Sequence, residues 1–400
     1  MHLCHAGFKG SQVGRDFRMG RTHDRTKTNR RAAGKLGTPA MTENPYKTLP
    51  PSAFWRSGVA EAGLFGYKNL WKSPWTLPSD ARFSTFGSCF AQHISRALVA
   101  RGLNWKNAEK APGLTPNALA QKYNYGVFTA RTGNIYTAAQ LLTWARLAVD
   151  PSAIESIEIW RSPNGRFFDS LRPVIEPDGF ESVQEARASL ATTARAFHRS
   201  FSEAEVFVFT LGLTEGWEDA TTGQVWALCP GTGVGTYDPD RHVFCNYAYP
   251  RIMADLEAAM AIMREVNPDL RFLLTVSPVP LVATASGNHV LSATTYSKSV
   301  LRAVAGDLAM MRQEVDYFPS YEIIASPPSR GAFFEPNLRG IAIEGVSLVM
   351  GHFFAGLDIS GPPARGGEDA AAKRIYDSEQ AMAEDDLVCD EIIMERFNNA

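Results

Sequence analysis

The residues best suited to do chemistry form one short motif, in which Gly87 and Ser88 end a β-rich run and precede a segment with helical patterning. A side chain between the carboxyl end of a strand and the amino end of a helix meets backbone N–H groups and the positive end of the helix dipole. That environment suits the oxyanion of acyl transfer. The pattern predicts that the Ser88 hydroxyl is exposed and acts as a nucleophile.

The same motif also fits a purely structural role. Serine is a preferred helix N-cap, so Gly-Ser before a helix also occurs in proteins without a catalytic serine. The motif is not the Gly-x-Ser-x-Gly elbow, because Phe90 stands where that pattern has its second glycine. Cys89 offers a thiol at the same helix start, but its place one residue past the turn predicts that it packs as a small apolar side chain.

The elements that must position Ser88 alternate between strands and helices. Continuous apolar runs are expected of parallel strands buried on both faces. Strands that alternate with helices imply βαβ crossovers, and so predict an α/β fold with three α/β/α layers and a mostly parallel sheet. The predicted strands are 83–86, 205–211, 271–277 and 321–325, and the predicted helices are 91–101, 137–148, 183–199, 252–266 and 294–313.

Ligands of such sheets bind at the carboxyl ends of the strands. The first strand ends at Ser88, the second leads into Gly212, Thr214 and Glu215, and the third is followed by a loop that reaches His289. After the second strand, residues 217–226 predict a β-hairpin insertion that turns at Thr222-Gly223 and places Trp217 at the rim.

Length and composition restrict the class of protein. The chain has 400 residues, of which 45% are hydrophobic, so it can bury a substantial core. The sequence has no apolar run near the roughly 20 residues of a membrane span, and its start has no apolar core of a secretory signal. We therefore expect a cytoplasmic protein without a membrane span. Its five cysteines are scattered and form no C-x-x-C pair, which predicts neither disulfides nor a metal site.

The ends of the chain differ in composition from its middle. Residues 1–40 hold nine Lys/Arg against two Asp/Glu, so we expect 1–43 to be a disordered basic head. It could bind nucleic acid, be a targeting segment, or precede a native start at Met41, and we favour the last of these. Residues 44–357 form the predicted domain and begin with an aromatic-rich N-terminal wrap over 44–80. Residues 358–400 are predicted to be an acidic tail with one surface helix.

The run from Gly87 to Ala91 reads Gly-Ser-Cys-Phe-Ala and resembles the motif that names the GSCFA family, whose members are similar to the SGNH (GDSL-like) esterases and lipases. The resemblance covers most of residues 44–355. Its further matches lie at 44–47, 133–136, 211–215, 277–280, 296–299 and 317–322. It implies an SGNH-hydrolase-like domain.

The resemblance also implies roles for particular residues. Ser88 corresponds to the nucleophile of the SGNH enzymes, and its own N–H to one oxyanion donor. The block from Gly212 to Glu215 corresponds to Gly-x-Asn-Asp, so that Thr214 replaces the asparagine that donates to the oxyanion. Gly133 corresponds to the lone glycine that supplies another N–H.

The residue that accepts the serine proton is not given by the motif. SGNH enzymes have a late Asp-x-x-His, whereas residues 334–345 contain no histidine. His289, assisted by Glu215, is the predicted base. His93 and His352 lie in helical patterns and are expected to pack, while Lys298 offers a Ser/Lys pair or a solvated helix residue.

These observations predict a serine ester hydrolase that acts on short acyl esters, such as O-acyl groups of carbohydrates. Ser88, His289 and Glu215 would be catalytic, while Gly133, Thr214, Gly212 and Trp217 would bind the oxyanion or the substrate. We expect no metal, no organic cofactor and no nucleic-acid partner. The alternatives are an O-acyltransferase, and a non-catalytic protein that binds a glycan or takes part in assembly through Trp217 and Trp226.

Overall fold

The computed structural model describes residues 44–226 and 228–360, together with Met394 and Phe397. The predicted basic head and nearly all of the predicted acidic tail lie outside these residues. The chain divides into two units, Met1–Ala62 and Gly63–Ala400. The described part of the first unit contains two 3-10 helices and one π-helix: Pro45–Lys47, Pro51–Ala53 and Arg56–Ala60. The side chains of Phe54 and Trp55 in this unit are exposed.

The second unit alternates strands with helices. Its strands are β1 (Thr76–Pro78), β2 (Arg82–Gly87), β3 (Asn104–Trp105), β4 (Ile159–Arg161), β5 (Phe167–Asp169), β6 (Val206–Leu211), β7 (Glu215–Asp219), β8 (Val225–Trp226), β9 (His242–Asn246), β10 (Arg271–Val276), β11 (Val315–Phe318) and β12 (Asp358–Ser360). Its α-helices are α1 (Ala91–Ala100), α2 (Asn117–Lys122), α3 (Ala138–Val149), α4 (Val183–Ser202), α5 (Tyr249–Val266), α6 (Val290–Met311), α7 (Ser320–Ala325) and α8 (Ile343–Gly356), and short 3-10 helices span Pro151–Ser156 and Pro327–Ser329.

The central sheet has five parallel strands in the order β11-β10-β6-β2-β3. From β2 the chain moves to one side to form β3, and then returns to the other side of β2 to form β6. The order therefore reverses between β2 and β6. In open α/β sheets the crevice at such a reversal, outside the carboxyl ends of the strands, is where ligands bind.

The sheet separates two layers of helices, because the side chains of its strands alternate between the faces. In β6, Phe207 and Phe209 belong to one core, whereas Val206 and Val208 belong to the other. The first core is shared with α3, α4, α5 and α6. The second is shared with α1, α7 and α8. Each fully buried Phe contributes on the order of 1.5–3 kcal/mol of burial free energy to these cores. The predicted three-layer α/β/α architecture is thus confirmed.

Most of the predicted elements are present, with small shifts at their ends, but one predicted strand is wrong. Residues 321–325 form the helix α7, and the last strand of the sheet is β11, which no sequence pattern indicated. Pro319 precedes the first turn of α7, and Ile323 and Ile324 are both buried there. A short apolar run fits a buried helix as well as a strand, so periodicity does not separate the two over five residues.

Three smaller sheets surround the central one. β1 pairs in parallel with β12, β4 pairs with β5, and β7 lies between β8 and β9. The predicted hairpin is present as β7 and β8, and β9 extends it to three strands.

Of the aromatic residues predicted to wrap the domain, Trp71 packs against Phe318 and Phe353, with ring centroids 5.1 and 5.9 Å away. Within the described residues, no helix is both long and apolar enough to cross a membrane.

Candidate active site

The site begins with a close approach of two backbones at the carboxyl end of the sheet. Gly87 has φ +128° and pairs in register with Thr210 of β6. A Cβ on Gly87 would lie 2.2 Å from the carbonyl oxygen of Thr210 and 2.6 Å from its nitrogen. Only glycine can occupy this position, because both the left-handed backbone and the contact exclude a side chain. Glycine therefore allows β2 to turn sharply beside β6 and fixes where Ser88 lies.

Ser88 is buried at this turn. Its side chain is 3% exposed, and its Oγ has no hydrogen-bond partner among the described residues. The expectation of an exposed hydroxyl is therefore wrong for this structure. A helix N-cap role for Ser88 is also wrong, since Phe90 is the N-cap residue of α1 and the Ser88 hydroxyl caps nothing.

Two polar atoms are left unsatisfied at neighbouring strand ends. Thr210 is fully buried, and its Oγ1, like the Oγ of Ser88, accepts and donates no hydrogen bond within the described chain. A buried hydroxyl without a partner costs about 1–3 kcal/mol relative to a satisfied one. Native proteins keep few such groups, and those they keep often have a functional reason.

Two of the backbone N–H groups considered for the oxyanion, those of Ser88 and Gly212, are engaged. The Ser88 N–H donates to the Thr210 carbonyl at 3.0 Å. The N–H groups of Gly212 and Leu213 both donate to the carbonyl of Tyr136, at 3.0 and 3.1 Å. In this state they stabilise the loops around the crevice and are not free to bind a substrate oxygen.

The segment 133–136 lies across the crevice between β2 and β6. The Ile135 N–H donates to the Gly87 carbonyl at 2.8 Å, while the Tyr136 carbonyl accepts from the loop after β6. Gly133 has φ +66°, which lets the chain turn into this segment. Thr137 and Gln140 form a capping box at the start of α3, and the Gln140 side chain also accepts from the Tyr136 N–H. The helix start thus anchors one end of the segment.

A buried ionic network anchors the other end. The Arg131 N–H donates to Glu109 at 2.8 Å, and Arg172 donates to the Arg131 carbonyl at 3.0 Å. Arg172 also forms an ion pair of 2.6 Å with Asp169, and both side chains are fully buried. Breaking one partner of a buried pair leaves an uncompensated charge, so such networks hold the backbone they bind in one position.

Gly212 brings together Ser88 and a buried lysine. A Cβ on Gly212 would lie 3.2 Å from the Cβ of Ser88 and 3.1 Å from the ring of Tyr136, so the three residues are in contact. The Lys298 Nζ donates to the Gly212 carbonyl at 2.7 Å. Lys298 is 1% exposed, which contradicts its interpretation as a solvated residue of the helix surface. Lys298 and Ser88 therefore both contact the same glycine.

Thr214 is held by two neighbouring elements. Its N–H donates to the Ser297 hydroxyl at 3.0 Å, and its own hydroxyl donates to Asn246 Oδ1 at 2.7 Å. The hydroxyl that the family resemblance assigns to the oxyanion thus already has an acceptor. The Thr214 hydroxyl can donate to a substrate oxygen only if its hydrogen bond to Asn246 of β9 breaks.

Glu215 is linked to the loop that leads to His289. Its Oε1 accepts from the Thr284 hydroxyl at 2.6 Å, and Thr284 also bonds Ser286 at 2.7 Å. Glu215 is 8% exposed, and burial raises its pKa above the ordinary value, although the hydrogen bonds from Thr284 and the Ala285 backbone oppose the shift. The carboxyl group thereby holds this loop against the start of β7.

His289 itself is exposed and caps a helix. It is the N-cap residue of α6, and its Nδ1 accepts from the Leu291 N–H at 3.2 Å. Because the Ser88 Oγ has no hydrogen-bond partner in the described chain, neither His289 nor Lys298 forms a hydrogen bond with it in this state. The structure brings Glu215 and the His289 loop together, but it does not bring the imidazole to Ser88.

The other histidines lie where packing dominates. Burial, together with Arg96, lowers the pKa of His93 to about 3, and its ring contacts Phe90 with centroids 5.4 Å apart. At that pKa the imidazole stays neutral at physiological pH and is a weak base. Burial also lowers the pKa of His352 in α8. Both observations agree with the expectation that these two residues pack.

The rim hairpin is a separate aromatic cluster. Trp217 in β7 makes edge contacts with Phe244 and Tyr237, with centroids 5.7 and 5.9 Å apart. Its neighbour Trp226 is 1% exposed, so that indole is part of the core and is not presented to a ligand. Of the predicted site residues, the structure therefore joins Ser88, Gly212 and the Gly133 segment, and it leaves Trp217 and His289 outside this group.

Sequence reasoning missed several polar residues of the crevice. Asn246 lies on a strand that was not predicted, and its role follows only from the pairing of β9 with β7. Tyr136 and Ser297 stood inside blocks that carried the family resemblance, and a buried role could have been inferred from that. No group of three or more His, Cys, Asp or Glu that could hold a metal ion occurs within the described residues.

The fold and the site define a doubly wound α/β protein with a buried serine at its topological switch point. The model of the GSCFA family matches residues 82–353, a range that starts at β2 and ends in α8. The chain belongs to the GSCFA family. A search of curated proteins and a search of solved structures each found no match.

The first prediction concerns the turn at Gly87. Replacing Gly87 with Ala places a Cβ inside the Thr210 backbone and forces an unfavourable φ, so we expect a loss of at least about 3 kcal/mol of stability. The control is Gly223→Ala, at φ +71° with no atom within 4 Å of the new Cβ. It should cost only the strain of the left-handed backbone, about 1–2 kcal/mol. Equal losses in urea unfolding would contradict the close approach described here.

The second prediction concerns the pH dependence that Glu215 gives to stability. Because its pKa is raised in the folded state, the unfolded chain releases this proton first as pH rises from about 4.5. The wild type then loses stability up to the folded pKa. Glu215→Gln keeps an acceptor for Thr284 and has no such loss. The unfolding free energy of the variant minus that of the wild type should therefore increase between pH 4 and pH 8, and a constant difference would refute the buried carboxyl.

Proposed function

We propose that this protein transfers acyl groups from esters, most simply to water, with Ser88 as the nucleophile. The observation that carries the proposal is the unsatisfied Ser88 hydroxyl in the crevice between β2 and β6. A fold without a use for this group could replace it with alanine and avoid the cost of burying it. The substrates that suit such a site are short acyl esters, including O-acyl groups of carbohydrates.

In the proposed reaction the Ser88 Oγ attacks the ester carbonyl carbon and its proton passes to a base. The negative charge on the former carbonyl oxygen is met by the Gly133 N–H and the Thr214 hydroxyl. The C–O bond to the alcohol then breaks, and the base returns its proton to the departing oxygen. Water hydrolyses the acyl-serine by the same steps in reverse order, and an acceptor alcohol in place of water gives acyl transfer.

Two groups are candidates for the base that accepts the Ser88 proton. His289 with Glu215 follows from the sequence, and the bond from Glu215 to the loop before His289 supports it. Lys298 is offered by the sequence as half of a Ser/Lys pair, and its burial and its bond to Gly212, which also contacts Ser88, support it. A lysine amine accepts the proton of a serine nucleophile in its neutral form, and Ser/Lys pairs are a known catalytic arrangement.

The reaction requires the crevice to open. The Ser88 hydroxyl is buried, and the N–H groups of Ser88 and Gly212 donate to backbone carbonyls. Access requires rearrangement of the segment 133–136 or of the loop after β6, and the Thr214 hydroxyl must leave Asn246. In enzymes with such closed sites, the motion often limits turnover.

The same burial favours a second candidate function, a binding or assembly protein without catalysis. A hydroxyl that substrates do not reach and an imidazole used as a helix cap are what a scaffold without its base would contain. The two functions differ in one respect that can be measured, which is whether the Ser88 oxygen reacts.

The third prediction is that the protein hydrolyses p-nitrophenyl acetate and that Ser88→Ala lowers the rate by at least about 10³-fold. The matched control is Ser84→Ala, which makes the same change at another buried serine of β2. It loses a hydrogen bond to the Ser200 carbonyl but no reacting atom, so its rate should be close to that of the wild type. Thermal unfolding checks that both variants are folded.

Equal rates for wild type and Ser88→Ala would overturn the hydrolase proposal and leave the binding protein. If the rate depends on Ser88, His289→Asn and Lys298→Met identify the base by the same assay. The variant that removes the base should lose both the rate and the rising limb of the pH profile, while the other should retain them.

A further inference from the structure

A second concave site lies beside α1, towards the end of the helix opposite to the Ser88 turn. It is a cleft of about 480 Å³ between the carboxyl-terminal half of α1, the end of β3 with the residues after it, and α2 with the loop that follows it. Its lining includes Arg96, Trp105, Asn107, Gln121 and Tyr125. This volume is within the range of small-molecule sites. None of the residues around Ser88 described above lines it.

The two aromatic rings of the cleft are held in place from behind. The Trp105 Nε1–H donates to the Thr85 hydroxyl at 2.9 Å. The Tyr125 hydroxyl accepts from Arg131 Nη1 at 3.1 Å, and the same guanidinium lies 4.1 Å from the ring centroid. Rings fixed by these bonds lose little entropy when a ligand packs on them. They form a preorganised apolar surface.

Asn107 supplies an unsatisfied polar atom next to these rings. Its Oδ1 is buried and has no hydrogen-bond partner in the described part of the chain. A buried amide atom without a partner costs about 1–3 kcal/mol. Because this oxygen is closed to solvent in the present state, a ligand bonds to it only when the Asn107 side chain turns the oxygen towards the cleft. A hydroxyl both donates and accepts, so it satisfies the amide in either of its two orientations.

The charged and polar side chains of the lining restrict which chemical class of ligand the cleft can bind. Its lining contains one cation, Arg96, and no carboxylate, while Asn117 and Gln121 add further amides. Amides and a guanidinium bind hydroxyl oxygens, and aromatic rings pack against the C–H faces of a saturated ring. Such a lining does not favour an amine.

We propose that this cleft binds a saccharide unit. The sugar ring packs on Trp105 and Tyr125, and one of its hydroxyls bonds to Asn107. The site is independent of the reaction proposed for Ser88, since it uses none of the same side chains.

The test is titration calorimetry of the full-length chain against glucose, galactose, N-acetylglucosamine and their disaccharides, with myo-inositol and adenosine as probes of other ligand classes. At least one saccharide should bind saturably. Asn107→Leu should weaken that binding about tenfold, as expected for one buried hydrogen bond, and Trp105→Phe should weaken it as well. Ser88→Ala should bind like the wild type, so failure of the ester reaction would not affect this result.

The control variants are Gln313→Leu, an exposed amide outside the cleft, and Trp55→Phe, an exposed indole in the first unit. Neither should change the affinity. The proposal is overturned if no saccharide binds, if adenosine or inositol binds in preference to every saccharide, or if the Asn107 and Trp105 variants bind as the controls do. Thermal unfolding of each variant separates loss of binding from loss of fold.

Discussion

The approach of the Gly87 backbone to Thr210 determines the rest of the site. A Cβ on residue 87 would lie 2.2 Å from the Thr210 carbonyl oxygen. No residue other than glycine therefore lets β2 end beside β6 in this way. The turn that follows places Ser88 at the reversal of strand order and orients the start of α1. The crossing segment 133–136 then bonds to the Gly87 carbonyl, so even the loop over the crevice depends on this contact.

The crevice is closed in this state by hydrogen bonds among its own polar groups. Lys298 binds the Gly212 carbonyl, Ser297 binds the Thr214 N–H, and Tyr136 accepts two N–H groups from the loop after β6. Against this satisfied background the hydroxyls of Ser88 and Thr210 are exceptions. A polar group that remains unpaired among paired neighbours destabilises the fold. A reaction at Ser88 explains why the protein keeps this hydroxyl despite its cost.

The sequence predicted the layers of the fold better than the details of the site. Long amphipathic helices and buried strands such as β6 have patterns that predict the α/β/α architecture directly. The family followed instead from the resemblance of the motif at 87–91 and its further matches. The strand β11 and the helix α7 are too short for periodicity to separate. The burial of Ser88 and Lys298 depends on contacts between distant parts of the chain, which no local pattern contains. Gly212 could be predicted as part of the site, because it follows a strand adjacent to Ser88.

The central claim is that the Ser88 oxygen is a nucleophile in a crevice that opens. It is tested most directly by incubating the full-length protein with a fluorophosphonate and locating the adduct by mass spectrometry of the intact chain and of its peptides. The account predicts one phosphonyl group per chain on the peptide that contains Ser88, and none on the Ser88→Ala variant. A folded wild type that remains unmodified, or that carries the group on another residue, would contradict it.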